Sequence, residues 1–255
     1  MAPRFTYPAD FDACWNPAAP EFACVANSIS LLMPHVEPLF VRSATAALDR
    51  LEEPLQSRAR SFAAEEAAHH TEHRRFNQLL AARYGLRRLE SAMAAVYGWL
   101  WRSRSEAFLL AFSAGSETLA YSIARWTHAH ETDVLGGADP DARRLFLWHL
   151  GEEVGHKSVA FDVHRTITGS RRYYARAMCL SLAILAVFVV AGTFTQLWHD
   201  RRWWSPVAWF RLTRWALSFF MELVPNMVVS ALPGHHPSDF ADPVLAHAWA
   251  DAVPR

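Results

Sequence analysis

The sequence predicts an all-α protein, a ferritin-like four-helix bundle with additional hydrophobic helices at its carboxyl end. Three observations lead to this fold class. Apolar residues recur at helical spacing in several long segments. No segment shows strand-like alternation, and no G-x-G-x-x-G turn is present. Two Glu-x-x-His clusters, each preceded by a further glutamate, follow the ligand order of a four-helix dinuclear carboxylate protein.

The amino-terminal part is predicted to contain an irregular arm and two long helices. Residues 1–24 include four prolines, so we expect them to form an arm without regular structure. Helical spacing then runs over residues 27–51. Pro34 and Pro38 predict a kink or a late helix start there, because proline lacks the amide hydrogen that a helix needs. The second helix is predicted over Leu55–Tyr84, which is rich in helix-forming residues.

The middle of the chain is predicted to complete the bundle. Residues 88–102 form a helical crossover, and residues 106–130 form the third core helix. A pair of glycines followed by a proline marks the next turn, and residues 141–168 form the fourth core helix. Residues 25–170 are therefore expected to be one helical domain.

The carboxyl-terminal extension, residues 171–255, is markedly hydrophobic. Its segment 177–198 has 22 residues and no Asp, Glu, Lys or Arg, and arginines lie on both sides of it. That length matches a membrane span, and Trp198, Trp203 and Trp204 cluster at one end as in an interfacial aromatic belt. A membrane-contacting segment, a buried fifth helix and a hydrophobic homodimer face all fit this pattern.

The overall composition disfavours several classes of protein. Equal numbers of basic and acidic residues, 25 each, provide no field that would attract nucleic acid. The three cysteines have no C-x-x-C spacing, so neither a disulfide framework nor a thiolate metal site is indicated. The amino terminus lacks the apolar core of a secretory signal. We expect a cytoplasmic protein, with association with the inner face of the membrane as the alternative.

Two histidine and glutamate clusters carry the predicted chemistry. Offsets of three, four and seven residues return to one face of a helix, so each cluster projects its side chains toward one point. The first cluster is Glu66, His69 and His73. The second cluster is His149, Glu153 and His156.

Two further glutamates complete the predicted dinuclear metal site. Glu37 precedes the first cluster, and Glu117, in an apolar stretch, precedes the second. Four carboxylates would balance the charge of two divalent ions, and neutral imidazoles would add ligands without charge. We expect two iron ions, with manganese or zinc as alternatives. Tyr121, one turn beyond Glu117, either hydrogen-bonds at the site or packs in the core.

Two segments carry a resemblance to a known family. Residues 62–77 (FAAEEAAHHTEHRRFN) and 148–162 (WHLGEEVGHKSVAFD) resemble the two signature motifs of the bacterial "predicted metal-dependent hydrolase" family, and the similarity extends to residues 27–42 and 236–239. The signature has Gln-Glu where this chain has Glu65-Glu66, which leaves the ligand intact. The resemblance implies metal-dependent hydrolysis.

A shorter resemblance concerns the metal site. The run His149-x3-Glu153-x2-His156 is similar to the third-histidine motif of di-iron arylamine N-oxygenases. That similarity implies that the metal ligands are Glu37, Glu66, His69, Glu117, His149, Glu153 and His156. His73 is then an eighth ligand or a partner of a ligand.

Three functions are compatible with such a site. The sequence favours a di-iron enzyme that activates O2 and, with an unknown electron donor, oxidises a hydrophobic or amine-bearing small molecule. The alternative is a hydrolase that uses a water bridging the metal ions. The third is a protein that binds metal without catalysis.

Overall fold

The computed structural model describes residues 3–8 and 10–244, and the all-α prediction is confirmed for them. These residues form seven α-helices, two short 3-10 helices and no β-strand. The helices are α1 (Pro20–Ala47), α2 (Leu55–Tyr84), α3 (Arg87–Ser103), α4 (Glu106–Leu135), α5 (Pro140–Ile167), α6 (Arg171–His199) and α7 (Pro206–Ala231). The 3-10 helices are Leu48–Arg50 and Pro237–Asp239.

Local sequence signals set the ends of these helices. Pro20 occupies the first turn of α1, where its missing amide hydrogen costs nothing, so α1 begins inside the segment predicted as the arm. Asp139 caps α5 by accepting hydrogen bonds from the first amides of that helix. Gly85 ends α2 in the left-handed conformation, with φ of +63°.

Helix α1 continues through both of its prolines. Pro34 cannot donate to the carbonyl of Ser30, which would be its helical partner. The side-chain amide of Asn77 on α2 donates to that carbonyl instead, at 2.8 Å. The proline therefore leaves the Ser30 carbonyl without its helical donor, and a side chain of the neighbouring helix provides the missing hydrogen bond.

Four helices form a closed bundle. Helix α1 packs against α2, α2 against α5, α5 against α4, and α4 against α1, while α3 connects the two halves. Helix α6 lies outside this ring and packs against α1 and α4, and α7 packs against α4. The predicted bundle arrangement is thus present, with two further helices along one side of it.

The amino-terminal arm covers part of the bundle. The indole of Trp15 donates to the side chain of Asn27 at 2.8 Å, and Asn27 donates to Gln196 on α6 at 2.9 Å. Nearer its start, the ring of Phe5 packs on Trp148 of α5. The arm therefore joins α1, α5 and α6.

Three helices are long and apolar enough, by length and composition, to cross a membrane: α1 with the turn after it, α4 and α6. The apolar stretches of α1 and α4 are 61% and 72% buried inside the protein, whereas that of α6 is only 33% buried. Of these three helices, α6 therefore leaves the largest fraction of its apolar stretch exposed.

A glycine on α4 allows the backbone of α6 to approach closely. A Cβ added to Gly115 would lie 2.8 Å from backbone atoms of Met178. We expect Gly115→Ala to destabilise the protein by about 1–3 kcal/mol, because the two helix backbones must separate to admit the methyl group. The midpoint of denaturant or thermal unfolding measures this change.

Gly155→Ala is the matched control, since Gly155 also lies within a helix but has no atom within 4 Å of the added Cβ. This substitution should leave stability unchanged or raise it by up to about 1 kcal/mol, because alanine favours the helix. Equal effects of the two substitutions would contradict the close packing of α4 and α6.

Candidate metal centre

Four glutamates from the four bundle helices meet in the interior. Glu37 comes from α1, Glu66 from α2, Glu117 from α4 and Glu153 from α5, and each is at most 3% exposed. Among the described residues, no Lys or Arg forms an ion pair with any of them. Four buried carboxylates without a fixed cation are costly, so the site requires positive charge from another source.

The ligand atoms approach one another without forming hydrogen bonds. Both oxygens of Glu37, both oxygens of Glu66 and one oxygen of Glu117 have no hydrogen-bond partner in the described structure. The same holds for Nδ1 of His69 and of His156. Lone pairs that point at a common space without hydrogen bonds between them are the arrangement that a bound cation would satisfy.

The distances show how closely these atoms converge. Nδ1 of His156 lies 2.7 Å from Oε1 of Glu66, and Nε2 of His149 lies 3.0 Å from Oε1 of Glu153. Nδ1 of His69 lies 3.3 Å from the same Glu153 oxygen. Such separations are expected between ligands that share an ion at about 2.0–2.2 Å.

Two groups of atoms could each hold a metal ion. Glu66, His69, Glu153 and His156 form one group. Glu37, His69 and His149 form the other. Within each group, the ligand atoms all lie within 4.8 Å of one another. Every member is buried, and the cluster could hold two ions. Glu117 belongs to neither group, but its side chain lines the same cavity as Glu37, Glu66 and Glu153.

Two glutamates that the sequence analysis did not assign hold the imidazole rings. Nε2 of His69 lies 2.9 Å from Glu152 on α5, and Nε2 of His156 lies 2.9 Å from Glu65 on α2. The indole of Trp148 donates to the other oxygen of Glu152 at 3.0 Å. Each far nitrogen can therefore donate to a carboxylate, which fixes the ring and leaves Nδ1 as the ligand atom.

The sequence contained a signal for these partners. Each cluster has two consecutive glutamates, Glu65-Glu66 and Glu152-Glu153. In both pairs the second glutamate faces the centre, and the first supports the histidine of the opposite helix. The repeated pair of glutamates reflects this arrangement, in which α2 and α5 each provide the carboxylate that holds a histidine of the other helix.

His73 lies behind His149 rather than in either ligand group. Its Nε2 is 2.7 Å from Nδ1 of His149, and its Nδ1 is 2.8 Å from the hydroxyl of Ser30. That hydroxyl donates to Oδ1 of Asn77 at 2.7 Å, so it accepts a hydrogen bond from Nδ1 of His73. Nε2 of His73 then accepts from His149, and Nε2 of His149 is left unprotonated.

This tautomer suits a metal ligand. An unprotonated Nε2 on His149 that faces a carboxylate oxygen of Glu153 at 3.0 Å places two lone pairs against each other. A cation between them would convert that repulsion into two bonds. Burial, followed by repulsion from His149, lowers the pKa of His73 well below its usual value, which keeps His73 neutral.

Without metal, protons must compensate the carboxylates. Burial and the charge of Glu66 raise the pKa of Glu37 well above its ordinary value, and burial with the charge of Glu153 does the same for the pKa of Glu117. Burial opposes a charge on His69 and His156, but the surrounding carboxylates outweigh it and raise the pKa of both. The metal-free centre therefore holds protons up to a higher pH than the same groups do in water.

Tyr121 lies away from the centre. Its hydroxyl donates to the backbone carbonyl of Ala241 at 2.8 Å, and its ring packs near Phe240 and under the ammonium group of Lys157. The structure does not bring this residue to the metal ligands. It holds the carboxyl-terminal segment against α4.

A cavity of about 500 Å³ adjoins the centre. Its walls include the four carboxylates and draw residues from all seven helices, most of them from α1, α4, α6 and α7. Most other lining residues are apolar, among them Leu32, Leu119 and Leu185. Such a cavity is of the size and polarity that bind small organic molecules.

Comparison with known proteins places the chain in a family. The model of the family described as "predicted metal-dependent hydrolase" matches residues 2–241. Searches of curated proteins and of solved structures found no match. The expected relation to ferritin-like proteins and to di-iron N-oxygenases therefore stays a prediction. With its buried histidine and glutamate cluster, the chain belongs to the predicted metal-dependent hydrolase family.

Proposed function

We propose that this chain is a dinuclear metal enzyme that hydrolyses an apolar small molecule held in the cavity. One observation carries the proposal: buried glutamate oxygens without hydrogen-bond partners, which converge with histidine nitrogens, line a cavity whose walls are otherwise almost entirely apolar. Membership of the metal-dependent hydrolase family supports hydrolysis as the reaction.

The donor set suits two divalent ions. Glu66, His69, Glu153 and His156 would hold one, and Glu37 and His149 would hold the second, with Glu117 alongside. Carboxylate and imidazole ligands without thiolate are compatible with zinc, manganese or iron. When bound, such ions lower the pKa of a water molecule and polarise a carbonyl or phosphoryl oxygen.

The protein's own side chains prepare the site for that chemistry. Glu65 and Glu152 fix the two imidazole rings through their far nitrogens, so these ligands need no reorganisation. The apolar walls exclude bulk water and hold the substrate by its hydrocarbon part. In the reaction, the bond from the acyl carbon to the leaving group breaks, and water supplies oxygen to the carbon and a proton to the leaving group.

A second candidate is oxidation of the same apolar substrate with O2 and an external electron donor. The observation that favours it is the ligand set, because all four carboxylates and the histidines project from helices of one bundle, as in di-iron carboxylate proteins. An apolar cavity also admits O2. This candidate requires iron at the centre, whereas hydrolysis does not.

The first prediction for this site concerns metal content. Purified protein should contain two metal ions per chain, and Glu66→Gln should lose at least one of them, because an amide replaces a carboxylate whose two oxygens have no other partner. Elemental analysis of the purified proteins measures the stoichiometry.

Glu72→Gln is the matched control on the same helix. Glu72 is also buried, but its oxygens accept hydrogen bonds from Arg75 and from the amide of Phe5. The metal content of the Glu72→Gln protein should equal that of the wild type. Full metal occupancy in Glu66→Gln would show that the ligand assignment is wrong.

A second prediction concerns pH. The raised pKa values of Glu37, Glu117, His69 and His156 mean that the metal-free centre holds protons up to a higher pH than free side chains do. Metal must displace them, so binding releases protons and its affinity rises with pH until these groups have lost their protons. Titration calorimetry in buffers of different ionisation enthalpy counts the protons. Proton uptake, or an affinity independent of pH, would contradict the proposed centre.

A third prediction separates the two reactions. The metal-loaded enzyme should cleave carboxylic esters, with kcat/KM rising as the acyl chain lengthens, and both a chelator and Glu66→Gln should abolish the activity. Glu72→Gln should retain it. If no ester or amide is cleaved but the reduced iron form consumes O2 and yields an oxidised product, the second candidate replaces the first. If the protein contains its full complement of metal but shows neither hydrolysis nor oxidation, it binds metal without catalysis.

A further inference from the structure

Within its uncharged stretch, helix α6 has most of its polar side chains on the buried face; the exposed Thr195 donates to a backbone carbonyl of its own helix. The hydroxyls of Ser181 and of Ser116 on α4 lie 2.7 Å apart, and Gln196 bonds with Asn27 and Ser28 on α1. Thr193 also lies on this face and contacts α1. With its polar groups paired inside, α6 presents valine, phenylalanine and tryptophan side chains outward. This is the reverse of a helix that faces water.

The outward surface continues onto α7. We call it the α6–α7 face and define it by exposed apolar residues of these two helices and the turn between them. They are Val187, Val190, Phe194, Trp198, Trp203, Trp204, Val207, Trp209, Phe210, Leu217, Phe220, Met221, Val224 and Val228. Exposed apolar surface on this scale marks an interaction site.

The cavity of the metal centre reaches this face. Val190 and Phe194 on α6 and Trp209 and Phe220 on α7 line the cavity, yet they are 68%, 42%, 43% and 44% exposed. The same cavity is lined by the buried carboxylates of the centre. A continuous apolar route therefore runs between α6 and α7 from the protein surface to the metal ligands.

The walls of this route favour a hydrocarbon chain. Ser116 and Ser181 satisfy each other, and Thr193 contacts Ser28 and a backbone carbonyl, so these groups are engaged with the protein. Along α6 the lining extends from Ser181 to Phe194, about 20 Å at the helical rise per residue. One leaflet of a bilayer has an acyl region of roughly 15 Å. A single acyl chain fits the length of the route.

The composition of the α6–α7 face favours a bilayer as its partner. Between residues 177 and 198 there is no charged side chain, while Arg172 and Arg176 lie before this stretch and a cluster of tryptophans lies at its other end. Tryptophan and arginine at the borders of an apolar surface are typical of the membrane interface. Because the opposite side of α6 packs on α1 and α4, lipid can reach only its outer side.

We propose that the α6–α7 face docks on a lipid bilayer, and that the cavity mouth within it admits one hydrocarbon chain of a membrane-derived substrate. The substrate is then a long-chain amphiphile whose polar reacting group lies at the metal centre and whose chain occupies the route. This inference rests on the proposed function for the reaction, but the docking and the chain binding are measurable without it.

The experiment uses the full chain with phosphatidylcholine–phosphatidylglycerol vesicles that contain a diazirine-bearing palmitate. The protein should float with the vesicles, and light should attach the probe to buried cavity residues such as Leu32 and Leu119. Ala186→Trp, which places an indole on a cavity-lining residue of α6, should reduce that labelling roughly tenfold, the effect of about 1.4 kcal/mol in binding free energy.

Ala183→Trp is the matched control, because Ala183 is exposed on the same helix but does not line the cavity. A second pair on α7, Ala216→Trp against Leu217→Trp, repeats the comparison, since only Ala216 lines the cavity. Both controls should float and be labelled as the wild type is. Glu66→Gln should also be labelled, although it loses metal and activity. If the wild-type protein is labelled but cleaves no ester, that result would count against the proposed function alone.

Three results would overturn the inference. Labelling confined to exposed residues such as Val187 would show that no chain enters the cavity. Equal labelling of Ala186→Trp and Ala183→Trp would show that the hydrocarbon chain does not pass Ala186 and that the proposed route is wrong. Protein that stays in solution and elutes as a dimer would show that a second copy, rather than a bilayer, covers the α6–α7 face.

Discussion

The burial of four carboxylates inside one helical bundle is the constraint on which the rest of the structure depends. Each of Glu37, Glu66, Glu117 and Glu153 comes from a different helix, so the bundle cannot close without bringing their charges together. Repulsion between them and loss of hydration both oppose folding. Protons reduce this cost in the metal-free protein, and two divalent ions would remove most of it. Metal binding would therefore both stabilise the bundle and form the reactive centre.

A series of contacts leads from a helix-breaking residue to a ligand atom. Pro34 frees the carbonyl of Ser30, and Asn77 crosses from α2 to donate to it. That contact orients the Asn77 amide so that its oxygen accepts the Ser30 hydroxyl. The hydroxyl then sets the proton on His73, which in turn sets the proton on His149. A feature that normally weakens a helix is thus linked to the tautomer of His149, whose nitrogen facing the metal centre carries no proton.

Sequence reasoning identified elements that are governed by local periodicity. It gave α2 its observed bounds, and it selected glutamates and histidines that do converge, because helical offsets alone place them on one face. It could not assign Glu65 and Glu152, since their partners lie on another helix and depend on how α2 and α5 are rotated. The placement of Tyr121 against Ala241 depends on the course of the carboxyl-terminal segment, which no periodicity reveals. The cavity, which is lined by residues of all seven helices, likewise arises only from tertiary packing.

The two-sided character of α6 accounts for a sequence that hydropathy alone left ambiguous. Serine, threonine and glutamine lower the apolar density of the segment, which weakens its resemblance to a membrane span, yet Ser181, Thr193 and Gln196 all face the protein. The outer surface is consequently more apolar than the average of the segment. Because the same two helices form this surface and the mouth of the cavity, any partner that covers the α6–α7 face also controls entry to the centre. A water-soluble substrate would have to cross that surface, whereas a hydrocarbon chain in a bilayer already lies against it.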